Sequence, residues 1–174
     1  MEASLPEPVK FFIAILLGKE ALIEEVEAGI QRAVGETDYR SPEFPFEHTD
    51  YYEEEMGAGL RRVFLSLHGL RSPADLVDMK WKCSELENEW RQEGNRLINL
   101  DPGFLDATKV VLASFKPGGW KIFLDRGVYA DMTLYYAKGS FIRFGWTFPD
   151  FRTGTYDRVL LHIRRSFKEQ RKNR

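Results

Sequence analysis

Residues 96–150 read RLINLDPGFLDATKVVLASFKPGGWKIFLDRGVYADMTLYYAKGSFIRFGWTFPD. Two short turn signals, Asp125-Arg126-Gly127 and Ala137-Lys138-Gly139, divide the second half of this stretch into β-prone runs and predict a three-strand meander beginning at Trp120. Residues 96–101 predict a strand ahead of it. Asp101-Pro102-Gly103 then offers a side-chain cap, a preset φ and a flexible backbone. That is the pattern of a helix entry, and Leu105, Val110, Val111 and Leu112 supply the apolar residues of the helix it would start. Such a terminus presents free N–H groups to an anion, although capping alone accounts for Asp101.

The flanking sequence extends the same architecture. Residues 9–17 (VKFFIAILL) form a continuous apolar run with Lys10 inside it, the pattern of a strand covered on both faces and central in its sheet. Leu22, Ile23, Val26, Ile30, Ala33 and Val34 recur at helical spacing up to Gly35. Residues 39–46 hold two prolines, which cannot donate to a ladder, so at most an edge strand lies there. Residues 60–67 alternate and predict a half-buried strand with Arg62 on its more polar face. Ser72-Pro73-Ala74-Asp75 opens a second helix with a serine cap, and Leu76, Met79, Cys83, Leu86 and Trp90 line its buried stripe. From Tyr156 onward, Leu160, Ile163 and Phe167 mark a terminal amphipathic helix, with His162 a packed edge residue. The expected fold is α+β: a single domain over residues 9–167, with a mixed, mostly antiparallel sheet, a C-terminal three-strand meander and about four packed helices. A loose leader at 1–8 and a basic tail at 168–174 flank it.

At 174 residues with 43% hydrophobic and 14% aromatic content, the chain is long enough to bury one sizeable core. A formal net charge of −2 and a pI near 6.0 argue against nonspecific nucleic-acid binding, which needs a broad basic surface. The basic residues from Arg158 to the end read as a solvated helix terminus rather than an RNA contact. One cysteine, Cys83, excludes an internal disulfide and a Cys-rich zinc site and fits a reducing compartment. The longest apolar run is too short to span a bilayer, and no secretory signal precedes it, so a cytoplasmic protein without membrane attachment is expected.

Candidate chemistry concentrates on the meander. Strict alternation puts Tyr129, Asp131, Thr133 and Tyr135 on one strand face and Val128, Ala130, Met132 and Leu134 on the other. Lys121 and Arg143 from flanking strands join the polar face if the registers allow, and Arg62 reaches it from further off. Asp131 among these cations and hydroxyls is the candidate catalytic residue, weighed against an ordinary solvated face with cross-strand ion pairs. The segment His48-Thr49-Asp50-Tyr51-Tyr52-Glu53-Glu54-Glu55 is rich in metal-ligand types, but consecutive glutamates diverge, so a solvated acidic loop or helix start is expected and no metal site.

FEHTDYYEEEMG at 46–57, NLDPGF at 99–104, IFLDRGVYADMTL at 122–134 and WTFPDFR at 146–152 together resemble the uncharacterised prokaryotic domain-of-unknown-function family 4416 over nearly the whole chain. The resemblance implies a single-domain cytoplasmic protein and no activity. Some members carry a GTP-binding label, but this chain has no G-x-x-x-x-G-K-[ST] loop, since Gly18-Lys19 is followed by glutamate. The family pattern places a His-Arg pair where this chain has Trp120-Lys121 and a glutamate where it has Asp131, so an imidazole base is not available at that position.

Two functions follow. The leading expectation is a domain that takes a small anionic ligand, a nucleotide or phosphoester, on the sheet face around Arg62, Asp101, Lys121, Tyr129, Asp131, Thr133 and Arg143, with no cofactor specified. The alternative is a non-catalytic interaction module that docks a partner through Tyr51, Tyr52, Phe148, Phe151 and the basic C-terminal helix. Stacking of RNA on Tyr129 and Tyr135 ranks last because of the acidic pI.

Overall fold

In the computed structural model, residues 2, 4–47 and 52–173 are described. The elements run β1 (Lys10–Leu17), α1 (Ile23–Ala33), β2 (Thr37–Arg40), β3 (Phe44–Pro45), α2 (Glu53–Met56), β4 (Arg61–Leu67) and α3 (Leu76–Glu89). A small hairpin of β5 (Arg91–Gln92) and β6 (Asn95–Arg96) leads into β7 (Ile98–Leu105), β8 (Lys109–Ser114), β9 (Ile122–Asp125), β10 (Val128–Ala137) and β11 (Ser140–Arg143), and α4 (Pro149–Arg152) and α5 (Asp157–Lys172) close the chain. The large sheet has the order β11-β10-β8-β7-β1-β4-β2, with β3 paired to β4 and β9 to β10, and all its ladders are antiparallel.

β1 lies between β7 and β4 and is buried along its whole length, as a continuous apolar run requires. Its alternate side chains feed two cores. Phe11, Ile13, Ile15 and Leu17 pack with α1 and α3 residues such as Val26, Ile30 and Cys83, while Phe12 and Ala14 pack with Leu160, Ile163 and Phe167 of α5. The sheet is therefore a middle layer between helices. This corrects the half-buried reading of β4: it is covered on both faces, and Arg62 is 4% exposed. Ser72 caps the turn before α3 by accepting the Ala74 N–H. Both turns form as the sequence indicates, with positive φ at Arg126 (46°) and Gly127 (75°) and at Lys138 (51°) and Gly139 (86°), the backbone of two-residue hairpin loops. However, β9 and β11 pair to one side of β10 and β8 to the other, so the expected three-strand meander is instead two hairpins sharing one long strand. No helix among the described residues is long and apolar enough to cross a membrane.

The helix expected after Asp101-Pro102-Gly103 does not form. These residues lie inside β7, and Lys109–Ser114 is a strand. A central strand holding proline is possible because the β7–β8 ladder runs only from Gly103↔Leu112 to Leu105↔Val110. N-terminal to Gly103 the two strands part, and Pro102, with no N–H to offer, stands at the fork. Gly103 is required by close approach: a Cβ there would lie 2.4 Å from the Val111 carbonyl oxygen and 2.7 Å from Leu112 Cδ2. No helix N-terminus exists at Asp101 to hold an anion.

Candidate functional site

The fork opens a gap in the sheet, and α3 takes over the backbone groups that a paired strand would have used. Glu87 Oε1 accepts the Leu100 N–H at 2.6 Å, and Lys80 Nζ donates to the Leu100 carbonyl at 3.0 Å. Burial raises the pKa of Glu87, with Lys80 opposing. The result is a cavity of about 410 Å³ between the parted strands, walled by Arg62, Lys80, Asp101, Lys121, Asp131 and Asp150 together with Leu112, Phe115 and Phe148.

Asp131 enters this cavity on the strand face opposite Val128 and Ala130, and a β-bulge follows it. The register pairs Asp131 with Leu112, Met132 with Val111 and Leu134 with Val110, so Thr133 is the extra residue. Ala130 and Leu134, which strict alternation puts on one face, pack with opposite cores, and the shared polar face of Tyr129, Asp131, Thr133 and Tyr135 does not exist. The bulge also frees backbone carbonyls: Trp146 Nε1 donates to Met132 O at 3.1 Å and Thr147 Oγ1 to Thr133 O at 2.7 Å. These bonds pin the segment that carries Phe148 and Asp150 over the cavity. Asp150 then accepts from Arg62 Nη2 at 3.0 Å.

Among the described residues of the cavity wall, Arg62 and Asp131 are the buried groups with unused hydrogen-bonding capacity. Arg62 Nε and Nη1 make no hydrogen bond, and Nη1 lies 3.9 Å from Asp101 Oδ2. Burial works against this cation, but Asp150 and Asp101 outweigh it and hold its pKa above the ordinary value. Asp131 is 1% exposed, and neither carboxylate oxygen has a hydrogen-bond partner. Its nearest cation, Lys121 Nζ, is 3.7 Å away and donates to Ser114 Oγ at 2.9 Å. Burial raises the Asp131 pKa, and Lys121 counteracts part of the rise. The neighbouring charges are committed elsewhere. Arg96 bonds Glu55 twice at 2.7 Å and Asn99 at 2.9 Å, and Asp101 accepts from Asn99 at 2.8 Å and from Lys80 at 3.5 Å.

Of the residues singled out in the sequence, Arg62, Asp101, Lys121 and Asp131 line one cavity. Three others lie outside its wall. Tyr129 packs edge-on against Phe123, Thr133 is buried with its hydroxyl on the Asp131 carbonyl, and Arg143 pairs with Asp157. Lys80, Glu87 and Asp150 were missed. Lys80 and Glu87 left a signal, since they occupy positions on the buried stripe of α3 beside Cys83, where charge needs a partner. Asp150 left none: its partner is 88 residues away. His48, Thr49, Asp50 and Tyr51 lie outside the described residues, and among those described no group of three or more His, Cys, Asp or Glu is placed to hold a metal. Cys83 is buried, which pushes its pKa up to about 12 and keeps it a core thiol. Phe151, expected as an exposed docking anchor, is buried against Phe64 and Tyr156.

No curated protein and no solved structure matches the chain. The model of the family described as domain of unknown function (DUF4416) matches residues 7–167, and the chain belongs to that family.

Proposed function

We propose that the protein binds a small anionic ligand of the phosphoester or nucleotide class in the cavity at the sheet fork. The observation that carries this reading is Arg62: a buried guanidinium in the cavity wall with Nε and Nη1 unused. Lys80 and Lys121 stand in the same wall. Guanidinium and ammonium groups in a partly desolvated site favour phosphate oxygens, and the aromatic wall of Phe115 and Phe148 suits an apolar or planar remainder. Asp131 is then the proton-accepting group of the site, and any reaction runs through it. A cytoplasmic location belongs to the same reading and is supported by the single buried cysteine.

A panel of phosphoesters and nucleotides in a thermal-unfolding screen tests it. A ligand present at a hundred times its Kd stabilises the fold by about 2.7 kcal/mol, a readily measured rise in the midpoint. Arg62→Gln combined with Lys121→Gln should remove that rise. A panel without a single shift, or shifts indifferent to both substitutions, overturns the proposal.

The second reading, an interaction module, is favoured by β9. Ile122, Phe123 and Leu124 are 69%, 57% and 40% exposed on a strand paired only to β10. A short apolar edge of this kind is a surface for another chain.

A further inference from the structure

We infer that the ligand of the fork cavity is a hydroxyl-bearing phosphoester, with its phosphate on the free edge of Arg62 and a ligand hydroxyl donating to Asp131. This rests on the phosphoester reading above and adds the second half of the ligand. The argument is an inventory of hydrogen-bonding capacity. Glu87 accepts from Leu100 N–H, Asp101 from Asn99 and Lys80, and Asp150 from Arg62, so each of these carboxylates has a donor. Asp131 makes no hydrogen bond of normal length at 1% exposure, with Lys121 and Trp120 approaching it only from further off, and it lines the same cavity as Arg62. A buried carboxylate without a donor is costly, and each donor it gains is worth more than one on the surface.

A ligand that was anionic throughout would satisfy Arg62 and meet the negative charge of Asp131. A hydroxyl beside the phosphate converts that repulsion into a hydrogen bond. The donor is neutral rather than an ammonium because Lys121 Nζ already stands 3.7 Å from Asp131 Oδ2 and is held there by Ser114. A second cation would face it. Burial also lifts the Asp131 pKa, and Lys121 and Trp120 offset only part of the rise.

Titration calorimetry with inorganic phosphate, propyl phosphate and glycerol 3-phosphate tests the inference. These probes share the phosphate, and only the last carries alcohol hydroxyls. The intact chain should bind glycerol 3-phosphate about tenfold or more tightly than propyl phosphate, the scale of a hydrogen bond to a charged group. Asp131→Ala should bring that ratio towards one. Equal affinity of the intact chain for the two esters overturns the inference and leaves the phosphoester reading standing. Failure of all three probes, with no nucleotide or other phosphoester binding either, overturns both. The ester pair is decisive on the unmodified chain, so a variant that does not fold leaves the result intact.

Discussion

Asp131 puts a pH signature into the stability of the chain. Burial raises its pKa above the ordinary 3.8, and Lys121 offsets only part of the rise. The folded chain therefore keeps this proton in a pH range where the unfolded chain has released it. Stability contributed by the group falls as pH rises from 3.8 through the folded pKa, and the cost of ionisation persists at neutral pH. Asp131→Asn, which mimics the protonated form, should raise the unfolding midpoint at pH 7, and the difference should close as pH drops towards 3.8. Unfolding curves across that range check it; a gap that is constant or widens in acid contradicts the stated burial. Position 131 was legible as chemistry because an acid stood in a β-prone strand in alternation with hydroxyl-bearing Tyr129, Thr133 and Tyr135. Its surroundings were not, because the bulge at Thr133 depends on how β10 meets β8 and has no glycine or proline to announce it.

Between elements, α5 is tied to the sheet by a polar clamp built around the buried ammonium of Lys10. Lys10, 0% exposed at the start of β1, bonds Asp38 and donates to Gln170 of α5 at 3.1 Å. Asp38 also accepts from Ser66 of β4 and from Gln170 Nε2 at 3.0 Å. Burial raises the Asp38 pKa, but the bonds from Lys10 and Ser66 outweigh it and leave the carboxyl below its ordinary value. The clamp's contribution is therefore present above pH 3.8 and is lost as pH falls through the depressed pKa. Asp38→Ala strands the Lys10 ammonium without its charge partner and should cost about 3 kcal/mol in urea unfolding at neutral pH. A loss under about 1 kcal/mol, the size of an exposed pair, would mean that the buried Lys10 ammonium does not depend on Asp38. The misplaced element, β8, shows the limit of local pattern. Asp-Pro-Gly carries every mark of a helix start, and only pairing with β1 along the whole of β7 makes it a strand.

The whole molecule leaves one edge of its sheet open at β9 and β11, both paired to the same side of β10. The β9–β10 turn is fastened to α3 by the Arg126–Asp78 ion pair and by Trp81 Nε1 donating to the Arg126 carbonyl at 3.2 Å, so the apolar strand is held in place. Unpaired backbone groups beside exposed isoleucine, phenylalanine and leucine favour strand addition. The chain should associate as its concentration rises in light scattering, and Ile122→Lys should suppress this while changing fold stability by no more than about 0.5 kcal/mol. Particle size that is independent of concentration, or insensitive to the lysine, removes the edge as a contact surface. The amino-acid sequence by itself determined the central strand, the amphipathic helices, the two hairpin turns and the balance of charge, because periodicity and turn chemistry act within a few residues of themselves. The tertiary structure alone decided that β7 and β8 part at Pro102, that a bulge turns the strand at Thr133, and that Arg62 meets Asp150. Each of these depends on which strands and side chains come to lie side by side, and no local pattern in the chain carries that information.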